Sequence, residues 1–85
     1  MNINHLFRLA NRIGDFFESM PDRAEGLEGI ANHIQKFWAP RMRIALLDYL
    51  EQHPDGRADD AALTEIVLEA ITTNRQRLTP KATVS

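Results

Sequence analysis

The segment Phe37-Trp38-Ala39-Pro40-Arg41-Met42-Arg43 gathers the side chains best suited to recognising another molecule. Aromatic rings and methionine offer wide contact, and guanidinium forks match carboxylates or phosphates on a partner. The spacing puts Phe37 and Trp38 on a buried stripe, which leaves Arg41 and Arg43 for a partner. The other reactive residues do not form sets. His5, His33 and His53 fall in separate elements without close carboxylates, whereas zinc needs three or four convergent ligands. They read as surface or boundary histidines. Ser19 and Ser85 lack a nucleophile-elbow motif. Asp59-Asp60 reads as a helix cap, and no glycine-rich phosphate loop occurs. The chain has no cysteine, which excludes disulfides, thiolate zinc sites, iron–sulfur ligation and cysteine nucleophiles. No catalytic, cofactor-binding or metal-ligating residue is expected.

The elements that must position the recognition segment are helices. The first is expected from about Asn4 to Ser19, capped by Asn4 or Asn2, with Ile3, Leu6, Ala10, Ile13 and Phe17 on one face. Pro21 stops it, and Asp22 followed by Glu25 resembles a capping box for a second helix. That helix runs to about Trp38 and buries Leu27, Ile30, Ala31, Ile34, Phe37 and Trp38. Gly26 and Gly29 weaken it by about 1 kcal/mol each, so close approach of a neighbouring helix is their expected use.

Pro40 suits the first position of a third helix, to about Gln52, with Met42, Ala45, Leu46, Tyr49 and Leu50 inward. His53-Pro54-Asp55-Gly56 is a turn. Asp59 or Asp60 then caps a fourth helix to about Thr73, with Leu63, Ile66, Val67, Ala70 and Ile71 inward. The periodicity ends at Asn74. The expected fold is all-α: a small compact bundle of about four helices, with residues 1–74 a single domain and 75–85 a flexible, disordered tail.

At 85 residues and with 44% apolar and 26% charged side chains, the chain is one globular unit with a thin core. No secretory leader and no membrane-length apolar run is present, so a soluble, cytoplasmic protein is expected. Charge is unevenly placed. Residues 35–47 carry Lys36, Arg41 and Arg43 without an acid, and residues 48–70 hold seven acids against Arg57 alone. The acidic stretch opposes phosphates, and a net charge of −2 gives no general attraction to nucleic acid or anionic membranes. The basic centre is suited to an acidic partner surface.

Apolar residues on the first helix spread over roughly 180° at about 100° per residue, where a single core needs little more than about 100°. Leu9, Phe16 and Phe7 lie on its flanks; Ile44, Leu47 and Leu68 fall outside the stripes of their own helices. Phe7, Phe16, Ile44 and Leu47 are therefore candidates for an apolar flank covered by another chain.

The stretches Asn11 to Asp22 (NRIGDFFESMPD), Gly29 to Ile34 (GIANHI) and Phe37 to Arg43 (FWAPRMR) resemble the delta subunit of the bacterial soluble NAD-dependent, molybdenum-containing formate dehydrogenase. The resemblance is close over about residues 1–50 and looser through 63–70. It implies a non-catalytic accessory chain that binds the catalytic alpha subunit and supports assembly or stability of a complex that also holds beta and gamma subunits. It further implies that the partner subunits, not this chain, carry the molybdenum bis-guanine-dinucleotide cofactor, iron–sulfur clusters, FMN and the NAD site. Contact with the partner is carried over to Phe16, Trp38, Arg41, Met42 and Arg43, with Arg12 and Met20 as further candidates. The alternatives are a helical regulator of nucleic acid and a module that self-associates as a homo-oligomer when isolated.

Overall fold

A computed structural model describes residues 2–81. Five helices follow one another: α1 (Ile3–Glu18), α2 (Arg23–Phe37), α3 (Pro40–Gln52), α4 (Glu65–Thr73) and α5 (Arg75–Leu78). Among the described residues no strand occurs, only an isolated antiparallel bridge between Arg57 and Ala62. The expected all-α class holds.

The first three helices begin and end where their caps dictate. Asn2 Oδ1 accepts from the Asn4 amide at 2.9 Å and starts α1. Asp22 Oδ1 accepts from the Ala24 amide at 2.9 Å and starts α2; this is a simple N-cap to the second helical amide, and the expected capping box with Glu25 does not form among the described residues. Pro40 takes the first turn of α3.

Helix α1 is the central element, packed against α2, α3 and α4. This corrects the reading of its wide apolar arc. Phe7, expected on an uncovered flank, is 0% exposed and meets Tyr49 of α3 edge-on, with ring centroids 5.6 Å apart. Leu47 is likewise buried in the same core cluster as Leu78. A helix with three neighbours has more than one buried face, and this chain supplies all three neighbours itself.

Glycines allow the crossings. A Cβ on Gly14 would overlap the Val67 side chain of α4, and one on Gly26 would stand 2.8 Å from the Phe17 carbonyl oxygen. Close approach was the expected use of Gly26 and Gly29, and the structure has it.

Helix α4 starts later than expected. Neither Asp59 nor Asp60 caps it; both are exposed in a loop over residues 53–64. Gly56, at φ 70°, turns the chain, and the Leu63 amide donates back to its carbonyl at 2.8 Å. Two asparagines on α1 claim the rest of the loop. Asn4 Oδ1 accepts from the Asp60 amide at 3.0 Å. Asn11 donates to the Ala62 carbonyl at 2.8 Å and accepts from the Thr64 amide at 3.0 Å. These long-range bonds satisfy backbone groups that a helical continuation would have paired locally.

Residues 75–78, read from the sequence as the start of a loose tail, form α5 with Leu78 fully buried. Arg75 pairs with Glu51 at 2.8 Å, and Arg77 grips Glu28 with two bonds of 2.7 and 2.8 Å. Of the rest of that expected tail, residues 79–81 follow α5 without helical structure, and residues 82–85 lie outside the described residues.

Candidate interaction surface

The exposed aromatic side chains concentrate on the seam between α1 and α2. Phe17 lies across Gly29, where a Cβ would overlap its ring. With Phe17 held down in that notch, Phe16 is turned outward: it is 68% exposed and meets the Phe17 ring edge-on at 5.0 Å. Arg12, Ile13, Phe16, Phe17 and His33 line a recess of about 390 Å³. The His33 ring lies 4.8 Å from that of Phe37, itself 71% exposed. Phe16 and His33 thus border one recess, and His33 leads on to Phe37, forming an aromatic ridge with Arg12 at its edge. An adjoining recess of about 460 Å³ on the far side of Phe17 includes Met20 and Ala24.

This arrangement separates the two aromatic residues that the spacing had placed together. Trp38, one turn beyond Ile34, is 7% exposed and belongs to the core. Phe37 was expected beside it, but it stands one turn beyond His33 and follows that residue to the surface. Spacing carried no signal of this: Phe37 lies i+3 from Ile34 and i+7 from Ile30, on the apolar face, and it stands exposed as the last residue of α2.

The seven residues singled out for partner contact do not form one patch. Phe16 and Arg12 share the ridge recess, and Met20 lines the adjoining one. Trp38 is interior, which removes it from direct contact in this fold. Met42 is half-buried against the core. Arg41 is exposed. Arg43 lies elsewhere, in a cleft with Gln35 and Ile44. Gln35 points about 200° around α2 from His33, at about 100° per residue. Phe37 and His33 are the ridge residues that the sequence reading did not assign to a partner.

Charge sorts in the same way. Arg23 is tied to Glu69 at 2.7 Å and Glu65 at 3.7 Å, and Arg75 and Arg77 are tied to Glu51 and Glu28. The hydrogen bond from Arg77 holds the Glu28 carboxyl below the ordinary glutamate range. Arg12, Lys36, Arg41 and Arg43 make no ion pair among the described residues. Within the acidic 48–70 stretch Glu51, Glu65 and Glu69 are therefore paired inside the chain, while Asp48, Asp55, Asp59 and Asp60, like the basic centre, make no ion pair among the described residues.

Among the described residues no group of three His, Asp or Glu side chains is placed to hold a metal ion. No helix among them is long and apolar enough to cross a membrane.

Comparison with known proteins adds one match. The family model described as NADH-dependent formate dehydrogenase delta subunit FdsD matches residues 5–71. No curated protein and no solved structure gives a match.

Proposed function

Because the chain belongs to the NADH-dependent formate dehydrogenase delta subunit family, we propose that it serves as a non-catalytic accessory subunit docking on the molybdenum-containing catalytic subunit. In this reading it supports assembly or stability of the active enzyme in the cytoplasm, and the redox groups (the molybdenum cofactor, iron–sulfur clusters, FMN) and the NAD site belong to the partner subunits. The chain's own contribution is a surface.

One observation carries the docking reading: Phe16 and Phe37 stand exposed on a ridge joined through His33. Burying a phenylalanine side chain is worth about 2 kcal/mol. Two such rings in one patch supply a desolvation term that no feature inside this chain uses. Aromatic residues flanked by arginine are the composition found at interface anchors. Arg12, free of any internal ion pair among the described residues, supplies orientation beside them.

The test is co-expression of the tagged chain with the subunits of its enzyme. Phe16→Ala combined with Phe37→Ala should preserve the helical circular dichroism and lower recovery of the catalytic subunit at least tenfold, with a parallel fall in formate oxidation in the extract. Recovery equal to wild type would remove the ridge from the interface. A homodimer of the isolated chain that dissociates in the same double variant would assign the ridge to self-association instead.

A further inference from the structure

A second surface lies away from the ridge, where the C-terminal part of α2, the first turns of α3 and the stretch after α5 meet. It is a cleft of about 820 Å³. Gln35, Pro40, Gln76 and Thr79 contribute to its walls, and no Asp or Glu lines it. Three cations do: Arg43, Arg77 and Lys81. Arg77 is neutralised by its two-pronged bond to Glu28. The other two are not; neither Arg43 nor Lys81 makes an ion pair among the described residues.

Arg43 is the residue with donors to spare. It spends one N–H on the Leu78 carbonyl at a long 3.3 Å, and its Nε is shut off from solvent with no acceptor. The sealed Nε is out of a partner's reach, but Nη2 makes no hydrogen bond among the described residues and is not sealed, and a carboxylate set against the Nη1–Nη2 end of a guanidinium accepts two parallel charge-assisted bonds. Next to it Ile44, 46% exposed, and Pro80 give the cleft an apolar wall.

We infer that this cleft receives a polypeptide segment of a partner subunit in which an acidic side chain sits beside an apolar one: the carboxylate takes Arg43 and Lys81, and the apolar side chain covers Ile44. Charge complementarity identifies the occupant, since a cleft with cations and no Asp or Glu among the described residues that line it favours an anion, and the apolar wall favours a peptide over a free inorganic anion. The inference deepens the docking reading and rests on the chain binding another polypeptide; it adds a contact that the aromatic ridge does not supply.

The test uses the isolated full chain, isotope-labelled, and three probes: a capped peptide alternating leucine and glutamate, its leucine–glutamine counterpart, and inorganic phosphate. The acidic peptide should move the Arg43 Nε–H and Ile44 methyl resonances saturably, and the glutamine peptide should not. Arg43→Gln should weaken binding at least fivefold. Lys81→Gln, an exposed position, should weaken it at least twofold with the fold intact, which keeps the test decisive if the Arg43 variant unfolds. No saturable shift at Arg43 and Ile44, or an equal response to phosphate alone, would overturn the assignment. Co-purification of the ridge variants reads the docking itself, so the two failures are distinguishable.

Discussion

The Phe17 ring covers the bare backbone of Gly29, and that contact leaves Phe16, the next residue, pointing into solvent. One glycine on α2 therefore sets the relief of the aromatic ridge on α1. The same device at Gly14 works against the interior, where Val67 of α4 occupies the space a Cβ would need.

The two glycines should respond differently to alanine. At position 14 the methyl group meets a fully buried side chain, so Gly14→Ala should cost about 2 kcal/mol by overpacking. At position 29 the half-buried ring can swing outward, and alanine regains about 1 kcal/mol of helix propensity, so Gly29→Ala should change stability by less than about 1 kcal/mol. Urea midpoints of the two variants check the order.

Burial distinguishes Phe7 from Phe16, although both lie on flanks of the same helical stripe. Phe7→Ala should cost about 3–5 kcal/mol, the range for a core aromatic. Phe16→Ala and Phe37→Ala should each stay within about 0.5 kcal/mol of wild type in the isolated chain, as exposed positions do. Thermal unfolding of the three variants measures the contrast.

Asn11 holds the loop ahead of α4 with one donated and one accepted bond. Asn11→Leu should leave both backbone groups unpaired and cost about 1–3 kcal/mol. Amide exchange at Thr64 should speed up more than at Ile34, because the loop opens before the core does.

The ion pair between Glu28 and Arg77 gives stability a sign with pH. The Glu28 carboxyl titrates below its ordinary value because Arg77 hydrogen-bonds its charged form. Its contribution is present above the unfolded glutamate value of 4.5 and is lost as pH falls through the lower folded one. Both partners are accessible to solvent, so the effect is small. Glu28→Gln should lower the urea midpoint at pH 7 and match wild type once the pH lies below the folded value; denaturation across this range reads the convergence.

How far the fold could be read in advance depended on range. Asn2, Asp22, Pro21 and Pro40 act on their own neighbours, and they mark α1, α2 and α3 correctly. Phe7 and Leu47 were misplaced because periodicity reports which side of a helix is apolar, not how many helices will pack on it. Asp59 and Asp60 have the right chemistry for a cap, yet Asn4 and Asn11, more than 50 residues earlier, claim that loop through bonds invisible to a local window. The segment 75–78 follows the same pattern: Leu78 is buried in a core built by distant helices, and Arg75 and Arg77 add exposed ion pairs to α3 and α2, none of it visible to a local window. Phe16 was recognisable as a surplus aromatic. Phe37 was not separated from Trp38 because it lies i+3 from Ile34 and i+7 from Ile30, in phase with the buried stripe, and spacing does not report that the last residue of α2 stays uncovered.

The central claim, that the ridge of Phe16, His33 and Phe37 is the face covered by the catalytic subunit, is read most directly by photocrosslinking in the assembled complex. The photoreactive residue p-benzoylphenylalanine would replace Phe37 in one preparation and Arg57, an exposed residue of the 53–64 loop, in another. The account predicts an adduct with the catalytic subunit from position 37 and none from position 57. An adduct from position 57 with none from position 37, in a complex that assembles normally, would contradict it.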